Sequence, residues 1–227
     1  MTYNAILFDL DGVLVEGAET EPTLYEQAAK HSLERESIEF PEDALSQLGH
    51  PGDLEEVRNA CRTLEIEFDE FWQLREQFTS ELENEQIQRG ERTLYDDVRA
   101  LESLSEDYGL GIVSSNRQQT VDFIISHFGF ETVFDAAYGR DPTPAGFRRM
   151  KPKPYYLETA ATELGTHDVL YVGDRESDVV AAHNANFDSA LLRRDHNRNL
   201  DISVAPTHVI EDLYALTQFR CHRNGSN

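Results

Sequence analysis

Asp9 and Asp11 stand two residues apart just beyond the apolar run Ala5 to Phe8, and Gly12 follows at once. Alternate side chains of a strand share a face, so the two carboxylates are held on one side, with a glycine to turn the backbone. Alone, the pattern fits equally well a strand that ends in an Asp-Gly turn. Three other stretches are open in the same way. In "VSSN", Ser115 and Asn116 lie between a strand pattern and a helix pattern, where they either aim a hydroxyl and backbone N–H groups at an anion or cap the helix. In "GDRESD", Asp174 closes a strand and Asp178 falls in the next helix's first turn, as site acids or as ordinary N-terminal charge. In "MKPKP", Pro152 and Pro154 immobilise Lys151, either as a site cation or as a solvated turn.

The set is more specific than its members. Asp9, Asp11, Asp174 and Asp178 would converge on one sheet edge, each near pair repelling by ~3 kcal/mol at ~5 Å and an effective dielectric near 20. Such a cluster requires a cation, and an all-oxygen donor set suits Mg²⁺ together with a substrate phosphate. Asp9 then serves as nucleophile and Asp11 as the acid that protonates the leaving oxygen and the base that activates water. Ser115 and Lys151 hold and neutralise the transferring group, beside Gly12 and Asn116 as further substrate-binding positions.

The elements that must position these residues follow from periodicity. Apolar residues recur at helical spacing from Glu16 to Arg92, in "LYEQAAKHSL", "LEEVRNACRTL" and "FDEFWQLREQFTSEL". Strands and helices then alternate: "YGLGIVSS", "FDAAYG", "DVLYVGD", "DSALLRR" and "THVIED" as strands, "LYDDVRALESLSE", "QQTVDFIISHFG", "PYYLETAATELG" and "ESDVVAAHNA" as helices. This order predicts an α/β fold, a Rossmann-like parallel sheet core (residues 1–15 and 93–220) with an inserted all-helical segment (16–92) and a loose tail (221–227). Ligands of such sheets sit at the carboxyl ends of the strands, where every suggestive residue falls.

Composition narrows the functional classes. The 227 residues carry 43 acids against 20 Lys and Arg, a net charge of −23, and only three of the bases are lysines. That balance disfavours nucleic-acid binding, which requires a basic face. It resembles the acidic surfaces of salt-loving archaea. No run has the length of a membrane span and no signal peptide is apparent, so the expectation is a soluble, cytoplasmic protein without a membrane partner. Cys61 and Cys221 have no metal-ligand spacing around them and are expected as free thiols.

"DLDGVL", "VSSN", "KPKP" and "GDRESD", in this order, resemble the four motifs of the haloacid dehalogenase superfamily of phosphohydrolases. The resemblance implies an aspartyl-phosphate on Asp9, Mg²⁺ held by the Asp9 carboxylate, the Asp11 carbonyl and Asp174, and an anchoring or ligand role for Asp178. It further implies a closing cap, as in the phosphoglycolate phosphatase and β-phosphoglucomutase subgroup. Val13 stands where many relatives carry Thr, and "RTLYDDV" lacks a frequent Pro-Gly. The expected activity is hydrolysis of a small-molecule phosphate ester; a sugar phosphomutase and a catalytically silent binding protein are the alternatives. His50 falls in the cap loop that inspects substrate in this family. Arg148 and Arg149 form, with Lys151 and Lys153, a basic stretch that either contacts a second anionic group of the substrate or is solvated. Phe68, Phe71, Trp72 and Phe78 read as a core seam, and His127, His183 and His196 as structural.

Overall fold

A computed structural model describes residues 2–17, 22–41, 43–49 and 54–221. The chain divides into two compact units, Met1–Ala18 with Arg92–Arg140 and Arg149–Asn227, and Glu19–Glu91 with Asp141–Arg148.

In chain order the elements are β1 (Thr2–Tyr3), β2 (Ala5–Phe8), α1 (Pro22–Arg35), α2 (Ala44–Leu48), α3 (Leu54–Thr63), α4 (Phe68–Gln88), α5 (Ala100–Ser105), β3 (Gly109–Arg117), α6 (Gln118–Phe128), β4 (Ala136–Arg140), α7 (Pro144–Arg149), α8 (Tyr155–Glu163), β5 (Val169–Gly173), α9 (Glu176–Asn184), β6 (Asp188–Leu192), β7 (His208–Ile210) and β8 (Arg220–Cys221). A short 3₁₀ turn, Asp96–Arg99, precedes α5 where the sequence reads as continuous helix.

The first unit is a six-stranded parallel sheet in the order β4-β3-β2-β5-β6-β7, with β1 and β8 paired beside it. All four residues of β2 are buried, as expected of a strand covered on both faces. On one face Leu7, Val113 and Tyr171 pack with Leu157, Ala160 and Ala161 of α8 and with Ala181 and Ala182 of α9. The strand order reverses at β2: the chain moves outward through β3 and β4, then crosses back to β5 on the other side. A crevice at the carboxyl end of such a switch-point strand is where open α/β sheets hold their ligands. Asp9 is the first residue past this strand, its N–H donating to the Val172 carbonyl at 2.9 Å.

The second unit is helical. Ala29 and Leu33 of α1, Val57, Ala60 and Cys61 of α3 and Phe68, Phe71 and Trp72 of α4 form its core, and Phe78 meets His31 edge-on at 5.6 Å. Phe147 of α7 packs edge-on against Trp72 at 5.5 Å, so Asp141–Arg148 belongs with these helices although the sequence places it among the strands. No described helix is long and apolar enough to cross a membrane.

Candidate active site

The switch point gathers the four sequence motifs from three strands and a turn. Asp9 follows β2, Ser115 and Asn116 end β3, Asp174 follows β5, and Lys151 comes from the turn between α7 and α8. Asp9 Oδ1 accepts the Leu10 N–H at 2.8 Å, and Oδ2 faces Lys151 Nζ at 2.8 Å. Lys151 also lies 2.6 Å from Asp178 Oδ1 and donates to the Tyr171 hydroxyl at 2.8 Å. The Tyr171 hydroxyl in turn donates to the Val113 carbonyl at 2.8 Å. This makes a fully buried base for the ammonium group, and Tyr171 is a site residue that the strand pattern "VLYVG" disguises as core.

Asp178 has a double role. Its Oδ2 accepts the N–H groups of Asp174 at 3.1 Å and Arg175 at 3.0 Å, which closes the loop at the start of α9, while Oδ1 faces Lys151. Asp178 thus both caps this loop and lies beside Lys151. Gly173 is what lets the loop close: a Cβ there would lie 2.2 Å from that of Asp178.

Asp9, Asp174 and Asp178, all buried, each offer an oxygen within 4.8 Å of the others. Burial pushes the Asp9 carboxyl up to about 6 against the pull of Lys151, and the neighbouring Asp178 adds to the rise. Asp174 is pushed to about 8 by burial and by Asp9 and Asp178, with Arg175 and Lys151 opposing. Burial also penalises the Lys151 charge, but Asp178 and Asp9 outweigh it and raise its pKa. Asp174 Oδ1 accepts no hydrogen bond, and its nearest cationic group, Arg175 Nε, stands off at 3.7 Å. A buried, orphaned carboxylate oxygen among crowded acids fits a hard divalent cation such as Mg²⁺.

Asp11 departs from the expected cluster of four. It turns instead to Arg92, whose Nη2 donates to Oδ1, and to Asn116, whose side-chain N–H donates to Oδ2 at 2.9 Å. Lys151 is therefore not the site's sole counter-charge. Gly12, at φ +75°, brings the backbone so close that a Cβ would lie 2.3 Å from Asp174 Oδ2 and 3.0 Å from His196 Nε2. Ser115 is half-buried, with its carbonyl held by Arg140 Nε at 3.1 Å. Arg140 and Arg117, in register at the ends of β4 and β3, are both buried.

His196, read from sequence as structural, contacts Asp174 Oδ2 at 2.7 Å. Burial, with Arg175 and Arg194 nearby, holds its pKa below the ordinary histidine value. The only sequence signal for it is place: "RRDHNRN" follows a strand at the sheet edge where the site lies. Arg149 lies over the Tyr155 ring at 4.5 Å, and Arg148 falls with the helical unit. His50 lies outside the described residues.

Residues 6–192 match the family of haloacid dehalogenase-like hydrolases, and the chain belongs to it. The phosphoglycolate phosphatase of Mannheimia succiniciproducens is 29% identical over 123 residues, 53% of this chain and 54% of that protein, so the chain spans about half the length of this relative. Pyrophosphatase PpaX of Oceanobacillus iheyensis is 25% identical over 216 residues, 94% of each chain. A solved structure from Lactobacillus plantarum, provisionally named a phosphoglycolate phosphatase, is 25% identical and covers 93% of this chain and 96% of its own, with a TM-score of 0.58.

Proposed function

We propose that this protein is a phosphatase that hydrolyses a small phosphomonoester in two displacements at phosphorus, with Asp9 as nucleophile. The observation that carries the reading is the buried Asp9 carboxylate held at 2.8 Å by Lys151, beside an Asp174 oxygen with no hydrogen-bond partner. In the first displacement an Asp9 oxygen attacks phosphorus and the bond to the leaving oxygen breaks, while Asp11 gives that oxygen its proton. In the second, water attacks the aspartyl-phosphate, Asp11 takes the proton, and phosphate leaves with Asp9 restored. Lys151 keeps Asp9 ionised against its burial and offsets charge on the transferring group, and Ser115 and Gly12 receive the phosphate oxygens. Asp9 and Asp174, with the Asp11 carbonyl, would hold Mg²⁺, which when bound neutralises phosphoryl charge. Asn116 acts through Asp11, whose carboxylate it holds.

The relatives named for phosphoglycolate and for pyrophosphate both point to a small substrate with a second anionic group. The acidic composition suits a cytoplasmic enzyme of a salt-rich cell, and the helical unit a cap. The deciding experiment is phosphate release from a panel containing 2-phosphoglycolate, pyrophosphate, p-nitrophenyl phosphate and β-glucose 1-phosphate. Release should require Mg²⁺, stop in excess EDTA and be abolished by Asp9→Asn with the melting temperature retained. Full turnover in EDTA would overturn the mechanism. Isomerisation of glucose 1-phosphate without phosphate release would replace hydrolysis by a mutase reaction.

A further inference from the structure

The loop after β6 does more than connect strands. Arg194 forks onto Asp97, at 2.7 and 2.9 Å, and donates to the Val13 carbonyl at 2.9 Å, next to Gly12. Asn197 donates to the Asp174 carbonyl at 2.7 Å and to the Leu192 carbonyl at 2.8 Å, and its own Oδ1 accepts the Arg194 N–H at 2.7 Å. Arg193 ties the far end of the loop to the Asn197 and Leu200 carbonyls, both at 2.8 Å. His196 is thus carried on a segment fixed to both the Asp9–Gly12 turn and the Asp174 backbone.

From that mount, Nε2 reaches Asp174 Oδ2 at 2.7 Å. Asp174 acting as a cation ligand is ionised and only accepts, and in that state the imidazole carries its proton on Nε2. Nδ1 faces the Tyr95 hydroxyl at 3.5 Å. One oxygen of Asp174 is occupied by this bond, and the other, Oδ1, is buried and unpartnered. Gly12 keeps the space clear, since a side chain there would strike both members of the pair. On its other side His196 borders a cavity of about 720 Å³ that Tyr95, Arg194 and Arg198 also line.

We propose that His196 is a positioning residue for the metal centre, its Nε2–H holding Asp174 Oδ2 so that Oδ1 is presented to the divalent cation. The inference rests on the reading of Asp174 as a cation ligand and goes beyond it by assigning what orients that ligand. Hydrogen-bond partners of ligating groups fix orientation in this way, and their loss typically costs about 10- to 100-fold in metal affinity.

The test is Mn²⁺ binding without substrate, followed by the electron paramagnetic resonance signal of the free ion. His196→Ala should weaken binding by about 10- to 100-fold. His196→Phe, which keeps ring volume without a donor, should do the same. His196→Gln, whose amide N–H can take the place of Nε2–H, should stay near wild type. Imidazole entering from the cavity should restore part of the loss in His196→Ala. Melting temperatures in EDTA, where no cation contributes, establish that the variants are folded. If Asp174→Asn loses Mn²⁺ while folded His196→Ala and His196→Phe bind as the wild type does, the positioning role is overturned and the ligand reading stands. If the wild type binds no Mn²⁺, both fall.

Discussion

Asp11 is held by two residues, Arg92 and Asn116, that lie 81 and 105 positions away in sequence. A carboxyl group that must donate a proton in one displacement and accept one in the next needs its orientation fixed more than its neighbours varied. General acid–base catalysis of this kind is worth about 10²- to 10⁴-fold. Removing one of two supports should forfeit part of that, so Asn116→Ala is expected to lower kcat by about 10- to 100-fold with little change in KM. Adding Arg92→Ala should cost less than the product of the single effects, because both act on one carboxylate. Steady-state kinetics of the two single variants and the double variant check this, and strictly multiplicative losses would show the supports to be independent. Asp9 and Asp174 lead to a second expectation. Their carboxyls titrate at about 6 and about 8 when folded, against 3.8 for an ordinary aspartate, chiefly because both are buried. The metal-free folded protein therefore binds more protons than the unfolded chain across this range. The contribution of the two groups to stability is fully present below the unfolded value and is lost as pH rises through about 6 and then about 8. Metal-free melting temperature should fall over that window, and Mg²⁺, which competes with protons for the same oxygens, should raise it more at the alkaline end. A metal-free melting temperature that climbs from pH 6 to pH 8 would contradict the assignment.

Helix α4 shows how one element can satisfy two patterns at once. Its first turns bury Phe68, Phe71 and Trp72, as the apolar spacing foretells. Farther along, Arg75, Glu76, Thr79, Ser80 and Glu83 are buried too, and they follow the same helical spacing with polar side chains. Arg75 donates to the Leu48 carbonyl at 3.0 Å, pairs with Glu76 at 2.9 Å and stacks over Trp72 at 4.0 Å. Arg75→Ala should destabilise by about 3–5 kcal/mol in urea denaturation, because it leaves Glu76 buried without this partner. Arg75→Met combined with Glu76→Leu should cost less than the single change, and a larger cost would mean that the pair contributes more than it loses by desolvation. The sheet strands were legible in sequence because each is a short apolar run, and the four acids and Lys151 because motif and strand end coincide. Arg92, His196 and Tyr171 were not, since each acquires its meaning only from a partner brought near by the fold. Helix α7 was hidden by composition. "DPTPAGFRR" reads as a turn, yet Pro144 suits a first helical position. Gly146 is required there because a Cβ would lie 2.3 Å from the Asp141 carbonyl oxygen.

At the scale of the whole molecule, charge is the dominant unspent quantity. Of the 43 acids, 21 lie between Glu16 and Arg92 against seven bases, so this third of the sequence carries −14 of the net −23. The bases it does have are partly committed to their own helix: Lys30 faces Glu34 at 3.8 Å and Arg89 faces Glu85 at 2.6 Å. Exposed pairs of this kind contribute at most ~1 kcal/mol each, and the remaining acids repel one another along the surface. Raising KCl from about 0.1 M to about 1 M shortens the screening length from about 10 Å to about 3 Å. Melting temperature should therefore rise with KCl and level off by about 1 M, as screening saturates. Replacing exposed acids of the helical unit, Glu34, Glu55 and Glu65 among them, by Gln should raise stability in dilute buffer and flatten the salt response. A melting temperature that is indifferent to KCl would sink the idea that acidic repulsion limits this fold. A rise that continues unabated well past 1 M would assign the effect to exclusion of salt from the protein surface instead.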